Sequence, residues 1–446
     1  MHPERIKMIP KISASTIYST LGNNSSLIPL GIKDVANSCG LTTASYIAGN
    51  KIEGKDRFID EFGTQAIWLG GIPTYKFLLN KTIFKYANLD SEIDPRILKD
   101  KNILELAKEF APTKQIKENI QKAAKQQKLF KNLALTKFAA STVLTALTYF
   151  GLTKFRHKYT ENQIKKEYFA KQDKQNNTNN VTSSKFSNIG NDKSVSFTGG
   201  IQDFMFDPVR NLMLVDGAIT TERLTHSRNP QDFMGYVIKE GSFWAFMYFA
   251  GPMIAKYLEK YSEAKYNKSI DLDARVIESE ELKNAFKTDS LKKHLEKFKA
   301  NKSEAEIYRF AVNPETNNLV IDMAKKSDII SMLKTPKFNI PILKEIFTNK
   351  TNKIDTRKYI DISELNSVAE KLEKLFNQYE TSGEDIDTFF KSLRKLKRGS
   401  VIKNMGSCIA ALGIIAPAIM LAVRALSKNS DYQVKKDIEN KLENKG

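Results

Sequence analysis

A run of 19 residues without a charge, Met405–Val423 (MGSCIAALGIIAPAIMLAV), constrains this chain more than any other stretch. A helix needs about 20 apolar residues to cross a bilayer core, so the run is long enough to do so. Basic residues flank it: Arg394, Lys395, Lys397, Arg398 and Lys403 before, Arg424 and Lys428 after. Such side chains reach headgroups while their stems stay in the apolar zone. A second run, 133–152 (LALTKFAASTVLTALTYFGL), is interrupted only by Lys137 and has basic flanks of the same kind. Two weaker runs lie near 62–84 and 238–257. Each of these is short enough to be a core helix or an interfacial segment. Lys76 and Lys137 are the charges expected within the apolar runs.

The two weaker runs match each other. At a shift of 179 residues, 58–98 against 237–277 gives nine identities, among them Glu61/Glu240, Pro73/Pro252, Asn88/Asn267, Asp94/Asp273 and Arg96/Arg275. The polar tails agree as well, with IDPRIL at 93–98 opposite LDARVI at 272–277. Self-similarity at a fixed spacing is evidence about architecture. The expected fold is therefore mostly α: two related helical units with apolar, membrane-embedded helices and a small α+β insertion. The first unit spans 1–165. A polar segment at 166–200, rich in Asn, Ser, Lys and Gln, reads as a flexible linker. The second unit spans 201–446 and carries a mostly helical soluble insertion at about 280–400. Within the insertion, Asp361–Glu380 has helical spacing and a capping start at Asp361 and Glu364. Tyr308–Ala324 reads as a β-hairpin turning at NPETNN. The segment from Asp385 is expected to run on as a helix into the last apolar run.

Pro73, Pro252 and Pro417 sit inside apolar runs. Proline in a helix loses a backbone hydrogen bond at a cost of about 3 kcal/mol. Local π or 3₁₀ winding can re-satisfy the freed groups. Helix kinks are expected at these three positions.

Chemistry is harder to find. The net charge of +19 comes mostly from dispersed lysines, without the basic patch and interleaved aromatics of a nucleic-acid surface. Nucleic acid is therefore not expected as a partner; membrane lipid is expected and a protein partner is compatible. Cys39 and Cys408 offer neither a disulfide framework nor metal spacing. The four histidines make no HExxH pair, and no P-loop, GxGxxG or GxSxG occurs. No catalytic residue, cofactor or metal ligand is assigned. The best polar cluster is Glu222, Arg223, His226 and Arg228, a candidate site for an anion or a lipid headgroup. Glu222 and His226, four apart, would share a helix face.

The stretches VSFTGG (195–200) and GAITTERLTHSRNPQDFMGYVIKEG (217–241) are similar to those of a group of lysine- and asparagine-rich proteins from gut bacteria related to cyanobacteria. The resemblance implies no activity and transfers no site residue. The function expected from the residues is that of a scaffold or binding protein, without catalysis, in a bacterial inner membrane or at its cytoplasmic face. Two alternatives stand beside it. One is a soluble interaction protein with the apolar runs as core. The other is a lipid-modifying enzyme.

Overall fold

The computed structural model describes residues 13–24, 26–48, 51–172, 207–336, 348–426 and 432–444. Among the described residues the protein is mostly helical with one two-stranded sheet. The helices are α1 (Ala14–Gly22), α2 (Leu27–Ile47), α3 (Lys51–Leu79), α4 (Lys101–Glu109), α5 (Lys114–Lys125), α6 (Gln127–Gln172), α7 (Pro208–Thr225), α8 (Pro230–Trp244) and α9 (Ala250–Tyr266). They continue as α10 (Ala274–Ile277), α11 (Glu280–Lys287), α12 (Ser290–Lys299), α13 (Glu304–Val312) and α14 (Leu319–Lys326). Strands β1 (Met332–Pro336) and β2 (Thr348–Ile354) pair antiparallel. The chain ends with α15 (Ile362–Ser382), α16 (Ile386–Ala410), α17 (Ala416–Leu426) and α18 (Gln433–Glu443).

Two compact units divide these elements. The first comprises 1–24, 79–136 and 251–406; the second comprises 25–78, 137–250 and 407–446. Each draws on both halves of the chain.

The first unit is built by local rules. Ser303 and Glu306 form a reciprocal capping box at the start of α13. Asp361 caps α15 by accepting from the backbone of Ser363 and Glu364. The apolar face of α15 then buries Leu365, Val368, Leu372 and Phe376. An aromatic cluster closes the core, with Phe286 5.0 Å from Phe376 and 5.2 Å from Phe390 between ring centroids. Residues 179 apart share local structure here. Asn88 and Asn267 both take the left-handed backbone that ends a helix, at φ 53° and 50°. Asp94 and Asp273 both cap the short turns that follow, Pro95–Leu98 and α10. In each, the arginine two residues on folds back on the capping carboxylate, Arg96 to Asp94 and Arg275 to Asp273. The same Asp–x–Arg clasp appears a third time at Asp355 and Arg357. Burial works against the Arg357 charge, but its bonds to Asp355 and Asp90 win and raise its pKa.

The segment expected as a β-hairpin, Tyr308–Ala324, is instead the helix pair α13 and α14. Ile307, Tyr308, Ala311 and Val312 are buried together at helical spacing, and Asn318 caps α14. A cap followed by a 3.6-residue period outweighs the turn-forming residues between them. The one hairpin-like pair among the described residues is β1 and β2.

The second unit packs Leu30, Trp68, Ile72, Tyr149, Leu212, Val215, Ile219 and Phe243 as its apolar centre. Small residues bring helices close. A β-carbon on Gly40 of α2 would collide with the carbonyl oxygen of Gly413, and one on Gly71 would press on Thr145. Helix α6 runs to Gln172, past the expected start of the linker at 166. The rest of that linker, and VSFTGG with it, falls outside the described residues.

The prolines do not end helices. Pro73 lies inside α3. Pro252 and Pro417 lie in α9 and α17, and a π turn ends just before each, at Ala245–Phe249 and Ala411–Ile415. There Ala250 and Ala416 donate to carbonyls five residues back, to Ala245 and Ala411. The wider turn moves the carbonyl ladder away from the proline ring. The third π turn, Asn80–Phe84, follows Pro73 rather than preceding it, so the matching prolines are not accommodated in the same way.

A left-handed asparagine gives a direct test of this local control. Asn88→Ala should lower stability by about 1 kcal/mol, since Ala lacks the short polar side chain that lets Asn tolerate this backbone, and Asn88→Gly should not. Thermal melts of the three proteins would show it.

Candidate functional site

The second unit holds a buried network of charges. Helix α3 brings Asp56, Arg57, Asp60 and Glu61, which occupy one face by their three- and four-residue spacing. Helix α6 brings Arg156, α7 brings Arg223, and α8 brings Asp232, Lys239 and Glu240; Arg228 stands just before α8. Asp60 is the hub and is 1% exposed. Its carboxylate lies 2.9 Å from Arg156, 3.1 Å from Arg223 and 3.7 Å from both Arg57 and Lys239. Arg223 also donates to Glu240 at 2.6 Å, and Lys239 lies 2.8 Å from Glu61. At one end Arg228 bridges Asp56 at 2.7 Å and Asp232 at 2.9 Å. Thr160 and Tyr432 donate hydroxyls to Asp56. Aromatic rings cover the cations, with Arg223 5.3 Å from the Tyr149 ring centre and Arg57 5.5 Å from that of Tyr236.

The charges balance. Asp56, Asp60, Glu61, Asp232 and Glu240 face Arg57, Arg156, Arg223, Arg228 and Lys239. A buried ion is tolerated only when it is compensated; the one-to-one network supplies the pairing, although Lys239 Nζ and one oxygen each of Asp60 and Glu61 make no hydrogen bond of good geometry.

The sequence-derived cluster divides. Arg223 and Arg228 belong to the network, and their guanidinium groups are engaged by carboxylates of the protein itself. Glu222 accepts from Thr153 and lies 4.0 Å from His226 on the same helix face, as the spacing predicts. The His226 side chain is 64% exposed. The expectation that only Lys76 and Lys137 charge the apolar helices fails. Asp60 and Glu61 sit on α3 directly ahead of the run at 62–84, and Lys239 and Glu240 sit on α8 inside the run at 238–257. The signal was in the sequence: Asp60 and Lys239, 179 apart, have opposite signs, while Glu61 and Glu240 are identical.

Beside the network opens a cavity of about 700 Å³, a volume typical of ligand pockets. One wall is polar, with Asp56, Arg57, Arg228 and the Glu53–Arg424 pair. The other is apolar, with Met234, Ile238, Met420, Leu421 and Val423. Such a lining suits a molecule with an apolar body and a polar end. Among the described residues, no group of three or more His, Cys, Asp or Glu is placed to hold a metal ion.

Removing the hub should be costly. Asp60→Asn strands several buried cations and should destabilise the fold by about 3–5 kcal/mol. Because Asp60 and Lys239 neighbour each other, the exchange Asp60→Lys with Lys239→Asp should recover part of what either change loses alone. A double-mutant cycle on melting temperature measures that coupling.

Compared with known protein families, curated proteins and solved structures, the chain matches none.

Proposed function

We propose that the protein is an integral membrane protein of the bacterial inner membrane, acting as a scaffold or binding protein without catalysis, and that its large cavity receives a lipid-like amphiphile. One observation carries the reading. The most apolar 18-residue windows of Gln127–Lys171 and Ile386–Leu426 are only 22% and 28% buried. The core helix of a soluble protein would be mostly buried. Instead Val143, Leu147, Phe150 and Phe155 on α6, and Ile419, Val423 and Leu426 on α17, are exposed. Phe249, Met253 and Tyr257 around the second π turn are exposed too. By contrast, among the described residues from 267 to 401 no large hydrophobic side chain is exposed. Apolar surface of this extent, confined to particular helices, marks a membrane or protein contact.

The charge network favours the bilayer over a protein partner. Ionisable groups on membrane helices face the bundle interior and pair with one another, as those around Asp60 do. The soluble reading would need a partner to cover the exposed faces of both long helices. Duplication completes the proposal: two copies of a helix–turn–cap unit, offset by 179 residues, would place Glu61 and Glu240 in one network and repeat the Asp–x–Arg clasp. The cavity's mixed lining supports an amphiphilic ligand; Arg228 and Arg57 line its polar wall.

Membrane fractionation tests this. The protein should stay in the pellet through an alkaline carbonate wash and leave it only in detergent. Release by carbonate alone would remove the spanning helices from the proposal.

A further inference from the structure

A second, much smaller cavity of about 20 Å³ lies deeper in the same unit. It has room for one water molecule or one small ion. Its walls include Asp34, Asn37, Glu61, Thr64, Asp216 and Lys239. The balanced network accounts for Lys239, which lies against Glu61, and for Arg223, which lies against Glu240. It leaves two carboxylates over. Asp34 and Asp216 are 8% and 4% exposed, and among the described residues neither is in a close ion pair, Lys239 and Arg223 acting on Asp34 only from further off. Asp216 accepts from the indole of Trp68 at 3.0 Å and from the hydroxyl of Tyr248, both neutral donors. Asn37 is 1% exposed, and neither its amide oxygen nor its amide nitrogen has a hydrogen-bond partner. A buried amide with no partner is costly, as is a buried carboxylate with no cation.

We infer that this cavity is a binding site for one monovalent metal cation of the sodium class, held by oxygens of Asp34, Asp216 and Asn37. The donor set is hard and all oxygen, which suits an alkali ion and not a thiophilic metal. The absence of a three-carboxylate group among the described residues, and the nearby Lys239 and Arg223, disfavour a divalent ion. Carboxylate oxygens are strong-field donors, which favours sodium over the less charge-dense potassium ion. The ion would balance one of the two carboxylates, with burial keeping the other as the neutral acid, and would engage the Asn37 carbonyl. Such a site lies in the bundle interior and needs no bilayer around it.

The test uses the full chain in detergent at neutral pH. Its melting temperature is followed in sodium, potassium and choline chloride at constant ionic strength. Sodium should raise it saturably over choline, with potassium weaker. Asp216→Asn should abolish the sodium response. Asn37→Ala should shift its midpoint upward by about tenfold, equal to about 1.4 kcal/mol. If Asp216→Asn does not fold, the wild-type titration and Asn37→Ala decide. No sodium response in the wild type overturns the inference, as does a response left unchanged in the folded variants. Stabilisation by acid without any alkali-ion dependence would also overturn it, showing a site for a proton alone.

Discussion

The second unit depends on the pairing around Asp60. Four basic side chains from α3, α6, α7 and α8 converge on one buried carboxylate. Hydrophobic packing alone tolerates sliding and rotation, because most apolar contacts can be exchanged for others. Buried charges cannot be exchanged this way. If α7 turned or slipped by a residue, Arg223 would leave both Asp60 and Glu240 and be stranded in apolar surroundings. The network therefore adds less to net stability than its short distances suggest, and more to the uniqueness of one arrangement. In a bilayer this matters further, since lipid tails compete with apolar side chains and the hydrophobic drive for helix association is lost.

Around that hub the helices approach by small residues. Gly40 leaves no room for a β-carbon, Gly413 lies close against the Ala36 carbonyl, and a β-carbon on Gly63 would press on Leu152. The π turns serve a related end. Widening the turn before Pro252 and Pro417 lets each helix continue past a residue that cannot donate. The prolines inside the apolar helices are thus accommodated by a preceding π turn at two of three positions. At Pro73 the nearby π turn lies on the other side, and nothing in the structure explains the difference.

The first unit follows different physics. Its short helices are fixed by caps, left-handed asparagines and Asp–x–Arg clasps, each satisfied within a few residues of sequence. Among its described residues from 267 to 401 no large hydrophobic side chain is exposed. Such a segment needs only water and its own core, whereas the long helices expose faces that water does not favour.

The sequence by itself determined the helical class, the apolar runs and the start of α15 at Asp361, because helix period and capping are local properties. It also singled out Arg223 and Arg228 as unusual. It misread Tyr308–Ala324, where turn residues concealed a cap, and it missed Asp60, Glu61, Lys239 and Glu240 as buried groups. On a lone helix such residues read as a solvated face. Only the tertiary structure decided that they point inward, because their partners lie far along the chain: Arg223 finds Asp60 across 163 positions, and Trp68 finds Asp216 across 148. Pairing at that range depends on how whole helices pack, and no local pattern encodes it.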